Sequence, residues 1–135
     1  MNSSLYDLVI AVAVIVMALF TIERLQRRRQ KIDPVYFRTK WRELQKFCGE
    51  KDTWPMAVID ADKLLDQALR KSHFKGKTMG ERLMSAQRTL SDNDSVWYGH
   101  KLRNKVVHEE FKLKKRDVQD ALMGIRQALK DLHAL

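Results

Sequence analysis

The stretch HKLRNKVVHEEF, residues 100–111, carries residue types that could do chemistry. A histidine can move a proton near neutral pH, and an arginine can hold an anionic group and stabilise charge that develops on it. Arg103 and Asn104 stand a turn or so ahead of His108. Two interpretations are open: a small catalytic or binding constellation, or ordinary polar groups on a helix that bond to a neighbouring helix or to water.

Helical spacing decides where these groups lie. His100, Asn104 and His108 are four residues apart, so on a helix they form one polar stripe with Arg103 beside it. The stripe borders the buried face of the helix and does not lie opposite to it. We expect that buried face to consist of Val96, Gly99, Leu102, Val106 and Val107.

The N-terminal region predicts a membrane anchor. Residues 8–20 (LVIAVAVIVMALF, with Leu8, Ile15 and Phe20) include no polar residue, and residues 5–22 give an apolar window of 18. A spanning helix needs about 20 mainly apolar residues. A cleaved signal peptide is the competing interpretation. It is disfavoured because no basic residue precedes the run, the only small-residue pair (Ala11 and Ala13) lies inside it, and basic residues follow it directly.

Charge predicts the orientation of this anchor. No Lys or Arg precedes the span. The basic residues near it all follow it, and they are Arg24, Arg27, Arg28, Arg29 and Lys31. By the positive-inside rule, the N-terminus faces out and the rest of the chain faces the cytoplasm, and the same cluster could bind anionic headgroups. We therefore expect a single-pass cell-membrane protein with an anchor and basic segment over residues 1–32 and a cytoplasmic domain over residues 33–135.

The composition of the remaining chain predicts an all-α domain. Gly and Pro are scarce, and turn residues separate five helical patterns, which we expect to form an antiparallel bundle because their connections are short. The predicted starts are an Asp33–Pro34 cap, a cap at Thr53, a Thr78–Glu81 capping box, and a cap at Asp94 or Ser95. The helices are expected at about 35–48, 53–72, 79–90, 96–110 and 115–133.

The overall charge limits the class of partner but does not select one. A formal net charge of +9 suits nucleic acid, an anionic membrane surface or an acidic protein. The single cysteine, Cys48, excludes an intrachain disulfide and favours a reducing compartment. The three tryptophans, Trp41, Trp54 and Trp97, are expected in the core rather than on a base-stacking surface.

No metal or cofactor is predicted. Residues 74–78 (FKGKT) end like a phosphate-binding loop, but Lys71 stands where that loop needs a glycine, and no strand precedes it. Asp60, Asp62 and Asp66 lie on a helix without the turn of a calcium loop, so we expect a solvated or salt-bridged face. The four histidines and Cys48 show no recognised zinc spacing.

The stretch from Arg103 to His108, with Asn104 after the arginine, resembles the Arg-x(4–6)-His signature of the HEPN superfamily (higher eukaryotes and prokaryotes nucleotide-binding). In that family the motif lies on a late helix of an all-helical bundle. Residues 60–66, 78–83 and 97–104 also resemble a group of bacterial proteins with an N-terminal membrane helix. The resemblance covers about residues 38 to 133.

The resemblance implies an endoribonuclease that needs no metal. His108 would take a proton from a ribose 2′-hydroxyl, Arg103 would hold the phosphate, and Asn104 would orient the phosphate or His108. His100, Lys101 and Lys105 would help to bind RNA. In the family the motifs of two subunits commonly meet in a dimer. The alternative that the family leaves open is a non-catalytic module at the membrane that dimerises or binds a partner or nucleic acid.

Overall fold

The computed structural model describes residues 3–27, without the side chains of residues 26 and 27, and residues 32–135. The chain is all-α in these ranges, with no strand, as predicted. Its contacts divide into two units, Met1–Gln30 and Lys31–Leu135. The helices are α1 (Ser3–Arg27), α2 (Pro34–Gln45), α3 (Trp54–Lys71), α4 (Met79–Ser85), α5 (Asn93–His108) and α6 (Lys115–Asp131), with short 3-10 turns at Lys46–Cys48 and Lys51–Thr53.

Helix α1 is long and apolar enough to cross a membrane over Ser3–Leu25. Its apolar side chains, including those of Leu8, Ile15 and Phe20, are exposed. The Thr21 hydroxyl donates to the carbonyls of its own helix, which leaves no free polar group on that side chain. The backbone of Arg27 ends α1, whereas Arg28, Arg29 and Lys31 lie outside the described residues.

Two predicted helix starts in the bundle are confirmed. The Asp33 carboxylate accepts the Val35 N–H at 3.0 Å and Pro34 occupies the first position of α2. The Thr78 hydroxyl accepts the Glu81 N–H at 3.2 Å at the start of α4. The reciprocal half of the capping box is different, because the Glu81 carboxylate accepts the Lys77 N–H instead of that of Thr78.

One predicted cap holds in position only, and one is wrong. Thr53 is the N-cap residue of α3 as predicted, but its hydroxyl donates to the carbonyls of Phe47 and Glu50 in the preceding turn and makes no capping bond to α3. At α5, Asp92 is the cap in place of Asp94 or Ser95, because its carboxylate accepts the Ser95 N–H at 3.1 Å. Helix α5 therefore begins three residues earlier than predicted.

The helix ends also differ from the predicted ones. Helix α4 stops at Ser85, five residues early, because the chain turns over residues 86–89, where the Thr89 N–H donates to Ala86. Helix α5 stops at His108 and not at residue 110, because Glu109 adopts an extended conformation. The last turn of α2 tightens into the Lys46–Cys48 3-10 turn, and α6 ends at Asp131 and not at residue 133.

Helix α5 is held in place by close packing on α6. A Cβ atom added at Gly124 would collide with the backbone of Ser95, and one added at Gly99 would lie 3.1 Å from the Ala121 carbonyl oxygen. The two glycines thus allow the helices to approach closely. On α5 the residues Val96, Gly99 and Leu102 are buried as predicted and Val106 is half-buried. Val107 is 45% exposed, so its assignment to the buried face is wrong.

Helix α3 lies at the centre of the bundle, because it contacts α2, α4, α5 and α6. Its buried face is a continuous helical stripe that includes Val58, Leu65 and Leu69. Asp62 interrupts that stripe at the position facing α5. Through this acidic residue, the buried face of α3 contacts the candidate site residues on α5.

Candidate functional site on helix α5

The site is built around a buried ion-pairing carboxylate. The Asp62 side chain is 6% exposed, and its Oδ1 atom lies 3.0 Å from Nδ1 of His100. The distance suits a His100 ring that carries its proton on Nδ1 and donates it to the carboxylate. The Trp97 ring packs edge-on against the same imidazole, with 5.8 Å between ring centroids. A buried carboxylate needs such partners because its desolvation would otherwise be costly.

The burial of His100 changes its role. Spacing places it on the polar stripe with Asn104 and His108, where it was expected to bind RNA. Its side chain is only 11% exposed in the structure and is bonded to Asp62, so its ring does not face an incoming ligand. Trp97 is half-buried against the core, in agreement with the prediction for the tryptophans.

Arg103 receives support from two sides. Its Nε atom lies 3.7 Å from the second oxygen of Asp62, and its Nη1 atom donates to the Asn104 side-chain oxygen at 3.0 Å. The side chain is 34% exposed, so part of the guanidinium group faces solvent. Asp62 therefore holds one residue inside the bundle and one at its surface. The remaining guanidinium N–H groups are geometrically able to bind an anion.

His108 is the last residue of α5 and its side chain is exposed. In residues 3–27 and 32–135 no hydrogen bond restrains its ring. Five residues along a helix correspond to a rotation of about 140° and a rise of about 7.5 Å, so Arg103 and His108 leave α5 in different directions. Asn104 and His108 are only about 40° apart. The structure thus brings Arg103 to Asn104, but one helix does not aim Arg103 and His108 at a single point.

Two exposed lysines complete the surface of α5. Lys101 is solvent-facing, and the Nζ atom of Lys105 lies 5.6 Å from the centroid of the Phe111 ring. Lys105 and His108 are three residues apart and therefore neighbours on the helix surface. Phe111, in the linker to α6, is 39% exposed. An aromatic ring, an ammonium group and an imidazole are thus adjacent at the end of α5.

Sequence reasoning did not single out Asp62 or Phe111 as parts of this site. A signal for Asp62 is present, since it lies four residues after Val58 and three before Leu65, within the apolar stripe of α3. Asp66, in contrast, follows the prediction of a salt-bridged face, because it pairs with both Arg70 and Arg82. For Phe111, nothing in the sequence separates it from an ordinary linker residue.

The glycine-containing loop at residues 74–78 has a structural role. The buried Arg82 donates from Nε to Asp66 at 2.6 Å and from Nη1 to the Gly76 carbonyl at 2.7 Å. The Lys77 N–H is bonded to Glu81, so it is not free to bind a phosphate. Within the described ranges, no group of three or more His, Cys, Asp or Glu side chains is placed to hold a metal ion.

No protein-family model matches this chain, and neither a curated protein nor a solved structure is detectably similar to it. The functional conclusion therefore depends on the chemistry of α3 and α5. The carboxylate at Asp62 fixes the arginine, and the exposed end of α5 presents the titratable and basic groups.

Proposed function

We propose that this chain is a membrane-anchored, HEPN-like helical protein that cleaves RNA without a metal at the exposed end of α5. One observation carries the proposal. Arg103 lies at the surface beside a buried carboxylate from another helix and beside Asn104, and it shares its helix with His108, whose ring makes no hydrogen bond within the described residues. Asp62 and Asn104 restrict the conformation of this partly exposed guanidinium group, and a phosphate-binding arginine benefits from such preorganisation.

The chemistry follows from the side chains. His108 removes the proton from a ribose 2′-hydroxyl, and the resulting oxygen attacks the adjacent phosphorus. The bond to the 5′ oxygen of the next nucleotide breaks, that oxygen takes a proton from water, and a 2′,3′-cyclic phosphate remains. Arg103 neutralises charge on the phosphoryl oxygens. Because the Asn104 oxygen already accepts from Arg103, its amide N–H groups are left to donate to the phosphate.

The divergence of Arg103 and His108 on α5 supports a homodimer as the active form. A second copy could place its own His108 opposite the Arg103–Asn104 pair, so that each phosphate is held by one subunit and deprotonated by the other. Lys101 and Lys105, both exposed, supply attraction for the RNA backbone. We also propose that the helices α2 to α6 form an antiparallel bundle of the HEPN type, because their connections are short.

The proposed location is the cell membrane, with a single span and the bundle in the cytoplasm. The length and apolar surface of α1 support the span. The orientation is supported by the sequence, since Arg24 and the basic residues after it all follow the apolar run. A cytoplasmic bundle is also compatible with the free Cys48.

The test is cleavage of fluorescent RNAs of varied sequence by the full-length protein in detergent, with a chelator present. Wild type should cut, and Arg103→Ala and His108→Ala should each reduce cleavage at least a hundredfold. His133→Ala is the matched control, because His133 is an exposed histidine in another part of the bundle. The absence of cleavage by wild type on every RNA would refute the enzyme.

A second function, a non-catalytic dimerisation or binding module, is favoured by the engagement of His100 and Arg103 with Asp62. Both pairs join α3 to α5 and so serve the fold whether or not RNA is cut. Because His108 has no bond to its ring in the described part of the chain, this alternative gives it an intersubunit role. It predicts that His108→Ala lowers the oligomeric mass in light scattering, whereas loss of cleavage at constant mass supports the enzyme.

A further inference from the structure

Phe111 differs from the other phenylalanines of the bundle. Phe37 is fully buried, and Phe47 and Phe74 pack against the core, whereas Phe111 is exposed in the linker between α5 and α6. Leu113, two residues later, is buried and supplies the apolar contact that anchors this linker. The Phe111 ring is therefore not needed to attach the linker to the core.

The surroundings of Phe111 are basic and lie next to the candidate site. The Lys105 ammonium group lies 5.6 Å from the ring centroid, within the range of a cation–π contact. Lys105 is also the helical neighbour of His108 at a spacing of three residues. Lys105 therefore lies between the ring of Phe111 and His108, the histidine that the proposed reaction uses.

We propose that Phe111 is a base-stacking residue for single-stranded RNA: the Lys105 side chain turns from the ring to the adjoining phosphate, and the base takes its place on the ring. This inference depends on the proposed function, since it names how the same site holds its substrate. An aromatic face binds any unpaired base, because every base has a π surface, whereas the bases of a duplex are already stacked on one another. The site therefore selects unpaired nucleotides by ring stacking and not by reading base edges.

Electrostatics indicates the side from which the strand approaches. Glu109 and Glu110 are exposed between His108 and Phe111, and their charge repels phosphate. Lys101 and Lys105 lie four residues apart on α5, on one face. The backbone of the RNA follows that face, and the base next to Lys105 turns onto Phe111.

The experiment measures binding separately from cleavage. Full-length protein in nanodiscs of zwitterionic lipid is titrated into two fluorescent 10-mers whose 2′-O-methyl groups prevent cleavage. One is oligouridine and the other is the same backbone without bases. Wild type should bind oligouridine about tenfold more tightly than the abasic strand. Phe111→Ala should abolish that preference, and Phe111→Trp should keep it.

Two matched variants separate stacking from other effects. Val107→Ala shortens a similarly exposed but non-aromatic side chain and should leave the preference unchanged. Lys105→Ala should weaken binding of both strands and reduce the salt dependence by about one ion. A melting temperature equal to that of wild type shows that Phe111→Ala is folded, and Phe111→Leu repeats the test with a closer match in volume.

The outcomes distinguish this inference from the proposed function. If wild type binds oligouridine and Phe111→Ala binds it equally well, the stacking role is overturned while the RNA site stands. If wild type binds neither strand, both fail. If anionic nanodisc lipid, and not RNA, protects residues 109–113 from hydrogen exchange, the ring contacts the bilayer and the stacking role is likewise overturned.

Discussion

Asp62 on α3 lies 3.0 Å from Nδ1 of His100 on α5, inside the bundle, and its other oxygen is directed to Arg103 at the surface. One carboxylate therefore joins the stability of the α3–α5 contact to the position of the arginine proposed to bind phosphate. Buried polar groups of this kind are costly to disrupt, because removing one partner leaves the other unpaired away from water.

Asp62→Ala is expected to lower the free energy of unfolding by about 3 kcal/mol, because it leaves His100 buried without its acceptor. Urea denaturation of the full-length protein, followed by circular dichroism, measures the change. Asp60→Ala is the control, since Asp60 lies on the same helix with no hydrogen bond to its side chain in the described residues. If the two variants are equally stable, Asp62 does not hold α5.

Gly124→Ala tests the close α5–α6 contact. The added Cβ would collide with the backbone of Ser95, which cannot rotate away as a side chain could, so a loss of about 2 kcal/mol in unfolding free energy is expected. The control is Gly49→Ala, whose Cβ would meet only the Lys46 carbonyl oxygen at an ordinary 3.6 Å. Thermal denaturation should therefore separate the two variants. A melting temperature unchanged by Gly124→Ala would contradict the packing described for these helices.

Asp131 is expected to contribute to the loss of folding stability at acid pH. Burial raises its pKa, but hydrogen bonds from Ser91 and Gln127 outweigh that effect, so the folded-state pKa lies below the ordinary 3.8. Its contribution to stability is present above pH about 4 and is lost as the pH falls through the lowered pKa. The urea midpoint of wild type should fall more steeply below pH about 4 than that of Asp131→Asn. Parallel curves would show that Asp131 contributes nothing to this transition.

Cys48 is expected to react slowly with alkylating reagents. Burial raises the pKa of its thiol, which reduces the fraction of thiolate at neutral pH, and the thiolate is the reactive form. Iodoacetamide at pH 7.5, followed by mass spectrometry, should modify the folded chain at least threefold more slowly than the same chain in concentrated urea. Equal rates in the two conditions would mean that the thiol is fully accessible.

Prediction from sequence succeeded where local chemistry decides the structure. Asp33 and Thr78 cap their helices because an acceptor side chain next to free backbone N–H groups needs no distant partner. The cap of α5 differs from the prediction because Asp92, Asp94 and Ser95 are all chemically suitable, and the helix begins after the first of them. The premature end of α4 has a similar cause, since its residues are compatible with a longer helix.

The candidate site shows the same division. The spacing of His100, Asn104 and His108 correctly placed them along one side of α5, but it indicated no difference in burial among them. The structure separates them, with His100 inside against Asp62 and His108 outside at the helix end. The sequence of α5 alone does not show which of the residues beside its buried face will be covered by another helix. The difference in burial between His100 and His108 therefore depends on the position of α3.

The sequence by itself determined that the chain is helical, that its N-terminal helix is long and apolar enough to span a membrane, and that His100, Arg103 and His108 fall on one helix. Composition and periodicity are properties of neighbouring residues, so they can be read along the chain. Only the tertiary structure decided that the Asp62 carboxylate lies beside Arg103 and that the Lys105 ammonium group lies against the ring of Phe111. The Asp62–Arg103 pair joins residues 41 positions apart, and the Lys105–Phe111 contact needs the chain to leave the helix and return, so both depend on packing.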